Sequence, residues 1–127
     1  MKTVQIPEGY QQVMVYLILP DAEGFMKFTQ HVFDAKEKFK MLDDNQKIRH
    51  AEVFIGDSVI MFANSTDQYP PQTSGLFIYV DDTDQRYKRA LDAGAKSIME
   101  PANQEYGRSC GVLDSNGNSW WITSVIE

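Results

Sequence analysis

His50 and Glu52 are the one neighbouring pair in this 127-residue chain whose types resemble general acid and base equipment. Two positions apart on a strand they share a face, because successive side chains of a strand point to opposite sides. Ala51, Val53 and Ile55 fill the intervening positions. The same alternation therefore also describes a strand with one face on a core and the other toward water. The other candidates for chemistry are weaker. Cys110 is the single cysteine, has no evident partner that would activate a thiolate, and reads as a small strand residue. His31 falls on the polar side of a predicted helix, where it is solvated.

Composition excludes several classes of function. A formal net charge of −6 with Lys and Arg scattered along the chain leaves no basic face for phosphate, so no nucleic-acid partner is expected. A lone cysteine provides no disulfide framework and fits a reducing compartment. The N-terminus does not resemble a signal peptide, and no apolar run approaches the roughly 18 residues of a membrane span. The expectation is a cytoplasmic chain with no membrane partner. With 43% hydrophobic and 12% aromatic residues, 1–127 holds enough apolar material for one domain with a real core.

The elements that must position these residues are written twice. After a polar lead-in, Met1 to Gln12, the run Val13 to Leu19 reads as a strand closed by Pro20-Asp21, with Asp21 placed to cap the following helix. Phe25, Phe28, Val32 and Phe33 recur at helical spacing, predicting a helix over about 22–34. Strands follow at 38–42, 49–55 and 58–64. The stretch 65–74, with Pro70-Pro71 and no periodicity, reads as a linker. The second half repeats the plan: a strand at 75–80, Asp82 as cap, a helix over about 84–93 stopped by Gly94, a strand at 96–99, and strands at 108–113 and 119–124 around Asp114-Ser115-Asn116-Gly117-Asn118, a run dense in turn formers. Gly56 aligns with Gly117 at an offset of 61 positions, and Leu19-Pro20-Asp21 aligns with Val80-Asp81-Asp82 at the same offset. Each half is βαβββ, module one over about 13–64 and module two over about 75–125.

Two βαβββ modules, the phrase from His50 to Val59, Tyr106-Gly107-Arg108, and Asp114 to Trp120 together resemble the vicinal oxygen chelate superfamily. Within it the closest match is the glyoxalase/bleomycin-resistance/dioxygenase group, in the branch of PhnB-like proteins. The resemblance implies an α+β fold in which each module curls into a half-barrel, with its helix on the convex side and a ligand cleft on the concave side. It implies a homodimer as well, with the two half-barrels of one cleft drawn from one chain or from two.

Strand parity then assigns faces. In the first strand Val13, Val15, Leu17 and Leu19 are expected on the helix, and Met14, Tyr16 and Ile18 in the cleft. In the strand of the acid/base pair, Ala51, Val53 and Ile55 face the helix, which leaves His50, Glu52 and Phe54 to the cleft. Tyr16, Phe54, Phe62, Phe77, Tyr79 and Trp121 are expected to line a cleft suited to a flat organic ligand, with Glu52 as counter-charge for a cation. Arg108, beside Tyr106, is a candidate grip for an anionic ligand or a surface pairing. Trp120, of opposite parity to Trp121, is expected in the core.

Metal-bearing members of the family take His, Glu or Gln ligands from the first and last strands of each module. Carried over by the internal repeat, those positions are Met14, Ile60, Gly75 and Trp121, none of which offers oxygen or imidazole nitrogen to a divalent cation. The resemblance thus implies a small-molecule binding protein without metal or other cofactor. Its alternative is a metal-dependent lyase, isomerase or dioxygenase with unusual ligands, His50 and Glu52 among them.

Overall fold

The structure is a computed structural model that describes residues 3–127; Met1 and Lys2 of the lead-in lie outside the described residues. In chain order the elements are β1 (Val15–Leu19), α1 (Ala22–Phe33), β2 (Lys36–Leu42), β3 (Ile48–Ile55), β4 (Ser58–Asn64), β5 (Gly75–Tyr79), α2 (Thr83–Asp92), β6 (Lys96–Gln104), β7 (Gly107–Leu113) and β8 (Ser119–Ser124). They build two four-stranded sheets, β1-β4-β3-β2 and β5-β8-β7-β6, each with one parallel pair between its first and last strand. This is the tandem βαβββ architecture.

Local chemistry explains where each helix starts. The Asp21 carboxylate accepts from the Gly24 amide at 2.9 Å, and Asp82 accepts from the Gln85 amide at 3.1 Å, each satisfying an amide that has no helical partner. Helix α1 then buries Phe25, Met26, Phe28, Val32 and Phe33 on one side. Phe25 meets Phe62 of β4 edge-on at 4.9 Å, and the same helix receives Trp120 of β8, whose ring centroid lies 4.8 Å from Phe33. One core therefore joins both modules. Both sheets turn their helix-facing sides into it, so the opposite faces, concave in the architecture that the resemblance implies, point outward.

Several expectations are corrected. β1 begins at Val15, and Val13 is 87% exposed instead of packed on the helix: the ladder with β4 starts at the Val15–Ile60 pair, and the Val59 amide before it is taken by the Gln11 side chain. β6 extends past Met99 to Gln104 through Pro101. It is an edge strand with a register shift between Met99 and Ala102, a setting in which a missing amide breaks no ladder.

The largest correction concerns β4. Phe62 is fully buried, pairs with Leu17 and packs on α1, so it belongs to the core and not to the cleft. The repeat runs at an offset of 61 through the first strands, where Leu17 matches Ile78, but the strand partners of those two residues are Phe62 and Ile122, an offset of 60. The cause lies in the hairpins. Ile55 pairs with Ser58 across the two-residue turn Gly56-Asp57, whereas Leu113 pairs with Ser119 across the five residues 114–118. Aligning the two glycines shifts β4 by one residue, and a one-residue shift exchanges the faces.

Candidate functional site

The concave face of module one is organised by a chain of hydrogen bonds. In register, Tyr16 stands opposite Met61, Met61 opposite Glu52, and Glu52 opposite Phe39. Glu52 is 6% exposed, an unusual position for a carboxylate unless it is paired. His50 Nε2 lies 2.7 Å from Glu52 Oε2, and Tyr10 donates its hydroxyl proton to Glu52 Oε1 at 2.6 Å. Lys38 Nζ donates to the Tyr10 oxygen at 2.8 Å and stands 3.8 Å from Glu52 Oε1. On the outer side, the Tyr16 hydroxyl meets His50 Nδ1 at 3.2 Å, and the two rings stack at 5.6 Å.

Two features of this network were not predicted. Tyr10 arrives from the lead-in, which crosses the face and is held by Gln11, whose side chain donates to the Asp57 carbonyl and accepts from the Val59 amide. Lys38 arrives through a β-bulge: Glu37 pairs with Val53 and Phe39 with Glu52, leaving Lys38 extra and aimed at the same face as Phe39. Neither a bulge nor a crossing segment leaves a periodic signal. Phe54 lies under the lead-in as well, half-buried, with Lys38 Nζ 5.6 Å from its ring.

Burial alone would raise the Glu52 carboxyl, but the hydrogen bonds from Tyr10 and His50, with the charge of Lys38, outweigh it and hold the group below its ordinary value of 4.5. A carboxylate with a lowered folded value contributes stability that is fully present above the unfolded value and is lost as pH falls through the folded one. The expected result is that part of the acid destabilisation of the wild type below about pH 4.5 disappears in Glu52→Gln, compared by denaturant titration at pH 7 and pH 3. Equal losses in both proteins would refute it. Both Glu52 oxygens are already engaged, so Glu52 is not a free counter-charge for a ligand.

The concave face of module two is built differently. Phe77, Tyr79 and Tyr106 are 52%, 64% and 57% exposed, with ring centroids 5.2 Å apart for Phe77 and Tyr79 and 6.4 Å for Phe77 and Tyr106. Trp121 pairs with Phe77 on one side and Gly111 on the other. Its indole lies across Gly111, where a Cβ would run into the ring carbons, so the glycine is what lets the indole lie flat on the sheet. The sequence reading did not name Tyr106 for this face. The turn before Gly107, whose φ is 143°, brings it there; in the sequence the Tyr-Gly pair marks a bend but not the face that the ring takes.

Arg108 is not on this face. Its neighbours Cys110 and Val112 point into the core, and Arg108 shares their side, where it donates to both Asp84 oxygens at 2.6 and 2.9 Å and to Asn103 at 3.1 Å. It clamps β7 to the first turn of α2. Burial pushes the Cys110 thiol up to about 11, with Asp84 adding to the shift, which removes it as a nucleophile near neutral pH.

The metal positions of the family can be re-read with the corrected register. They are Met14, Met61, Gly75 and Trp121, and Met14 and Met61 line one cavity with Ile6, Pro7 and Tyr10. Two thioethers, a glycine and an indole do not fit a divalent cation that seeks oxygen or imidazole. Among the described residues, no three His, Cys, Asp or Glu side chains are gathered where they could hold a metal ion.

A family model described as Glyoxalase/Bleomycin resistance protein/Dioxygenase superfamily matches residues 10–122. The chain belongs to this superfamily. An uncharacterized protein of Mycobacterium bovis is 27% identical, the match covering 88% of this chain and 82% of that one. Among solved structures, TnmS3, an antibiotic binding protein from Streptomyces sp. CB03234, superposes with a TM-score of 0.71 at 18% identity, over 92% of this chain and 100% of its own. The PhnB protein of Bacillus cereus gives 0.67 at 15% identity, over 91% and 100%. At such identities the structural likeness establishes the fold; function must come from the site. Among the described residues, no helix is long and apolar enough to cross a membrane.

Proposed function

We propose that this member of the superfamily is a small-molecule binding protein that works without a metal ion and takes a planar organic ligand on the aromatic face of module two. The observation that carries this reading is the group Phe77, Tyr79, Tyr106 and Trp121, four rings on one face of one sheet, three of them more than half exposed. Such rings stack on flat molecules and tolerate positive charge over their faces. The description of TnmS3 as antibiotic binding supports the reading, and so does the chemistry of Met14, Met61, Gly75 and Trp121, which offers a Lewis acid no oxygen or nitrogen donor. Since the two concave faces of one chain point outward from a shared core, closure of a cleft over the rings calls for a second copy. The proposed assembly is a homodimer in which the module-one face of one chain covers the module-two face of the other.

The chain has two tryptophans, Trp120 at 1% exposure and the more accessible Trp121, so ligand contact should quench Trp121 emission. Titration with a panel of planar aromatic compounds, acridine and anthraquinone dyes among them, is expected to give saturable quenching. Phe77→Ala should weaken it about two- to tenfold, as loss of one aromatic contact of ~0.5–1.5 kcal/mol requires. Equal affinity in Phe77→Ala would refute the platform. A stoichiometric divalent metal retained by protein purified without chelators would refute metal independence.

A further inference from the structure

We infer that Tyr16, His50 and Glu52 form a proton relay on module one, ending at the Tyr16 hydroxyl, that acts on a small organic anion held in the adjoining cavity. This stands on module-one side chains alone, apart from the aromatic platform of module two.

The relay follows from which atoms face which. Glu52 accepts on Oε1 from Tyr10 and presents Oε2 to His50 Nε2 at 2.7 Å. A carboxylate only accepts, so Nε2 carries a proton and, in the neutral ring, Nδ1 carries the lone pair. That lone pair faces the Tyr16 hydroxyl at 3.2 Å. The order carboxylate, imidazole, hydroxyl is the arrangement by which a buried acid orients a histidine to take a proton from an exposed hydroxyl. The burial gradient agrees: the side chain of Glu52 is 8% exposed and that of His50 26%, and Tyr16 as a residue is 48% exposed. Phe39, 5.9 Å from His50, stands against the ring from β2, so the imidazole is held between aromatic neighbours.

The cavity beside the relay supplies the class of ligand. Tyr16 and Ile18 form part of its wall, Lys47 and Arg49 bring positive charge, Asn64 and Thr66 add polar groups, and its volume is about 790 Å³, ample for a small molecule. Neither Lys47 nor Arg49 takes part in an ion pair among the described residues. Asp43, the acidic group in the wall, already accepts from the amides of Asn45 and Lys47. An organic anion is the charge this lining suits, its anionic end toward Lys47 and Arg49 and its body toward Tyr16 and Ile18.

The proton balance closes without another reactant. As the ligand loses a proton from carbon or oxygen to the Tyr16 oxygen, the phenolic proton passes to His50 Nδ1, and the imidazolium so formed faces the Glu52 carboxylate. Return of the proton to a different atom of the ligand is an isomerisation and restores the starting relay.

Because the natural ligand is unidentified, the test uses two probes that sulfonylate tyrosine, 4-(fluorosulfonyl)benzoate and uncharged benzenesulfonyl fluoride, with modification at each tyrosine followed by peptide mass spectrometry. The relay predicts that the anionic probe modifies Tyr16 at least tenfold faster than Tyr79 in the same molecule. His50→Phe, which keeps an aromatic ring beside Tyr16 but removes the acceptor nitrogen, should abolish that advantage while the Tyr79 rate stays constant. Should that variant fail to fold, His50→Gln is expected to give the same loss. The double variant Lys47→Ala/Arg49→Ala should slow the anionic probe and leave the uncharged one unchanged at Tyr16. Equal rates at Tyr16 and Tyr79 in the wild type, or a Tyr16 rate unmoved by loss of His50, would overturn the relay. Equal slowing of both probes in the double variant would overturn the assignment of an anion.

Discussion

Trp120→Ala should destabilise the protein by about 3–5 kcal/mol, the range found when a buried large aromatic is truncated and its cavity cannot collapse. Trp120 is 1% exposed and stands on the helix of the other module, with ring centroids at 4.8 Å from Phe33, 6.1 Å from Phe25 and 6.1 Å from Phe28. Its loss therefore opens the seam that joins the halves, where neither module can move alone to refill the space. Urea denaturation followed by far-ultraviolet circular dichroism gives the measurement. A loss below about 1 kcal/mol would show that the seam relaxes and that Trp120 does not hold the modules together. Trp120→Phe keeps a ring in place and should cost less, although the indole N–H that donates to Asp114 is lost with it.

The second large effect is expected at Asp114→Ala. Four donors converge on this one side chain: the amides of Asn116 and Asn118 at 2.9 Å each on Oδ1, and Asn118 Nδ2 at 3.1 Å and Trp120 Nε1 at 2.8 Å on Oδ2. The residue is 5% exposed, so water does not readily replace it. Each buried donor left without a partner costs about 1–3 kcal/mol. Part of the strain is relieved by movement of the loop, which leaves an expected total on the order of 3 kcal/mol. The loop also reaches module one. Asn116 accepts from the Asp21 amide at 2.8 Å and donates to the Asp21 carbonyl at 3.0 Å, while Asn118 holds the end of the linker by accepting from the Ser74 amide at 3.2 Å. Collapse of the loop should therefore lower the melting temperature by roughly 10 °C, on the scaling for a domain of this size. A change of less than about 2 °C would mean that the four donors find other acceptors. In a double-mutant cycle, Asp114→Ala and Trp120→Phe should be strongly non-additive, since they share one bond.

The run Asp114 to Trp120, one of the phrases that carried the family resemblance, thus acts as a brace between modules. That explains how Asp114, Asn116 and Asn118 can sit at low exposure: each of these side chains has partners inside the chain. Among the described residues, no buried side-chain nitrogen or oxygen lacks one.

Much of the fold was legible from the sequence because its signals are local. The helix caps Asp21 and Asp82, the helical spacing of Phe25, Phe28, Val32 and Phe33, and the turn formers between β7 and β8 depend on neighbours within a few positions, and the doubled βαβββ order followed from reading them twice. The sequence also determined which side chains exist to do chemistry: an acid/base pair at His50 and Glu52, an excess of aromatic residues, and no oxygen or imidazole donor at Met14, Gly75 or Trp121. What only the tertiary structure decided is where those side chains point and whom they meet. Parity along a strand is known only up to register, and hairpins of unequal length moved Phe62 into the core. A bulge turned Lys38 toward Glu52, Asp84 drew Arg108 to the helix side, and the lead-in laid Tyr10 across a strand 42 positions away. Each of these depends on a contact between segments far apart in the chain, and such a contact leaves no periodicity in either segment.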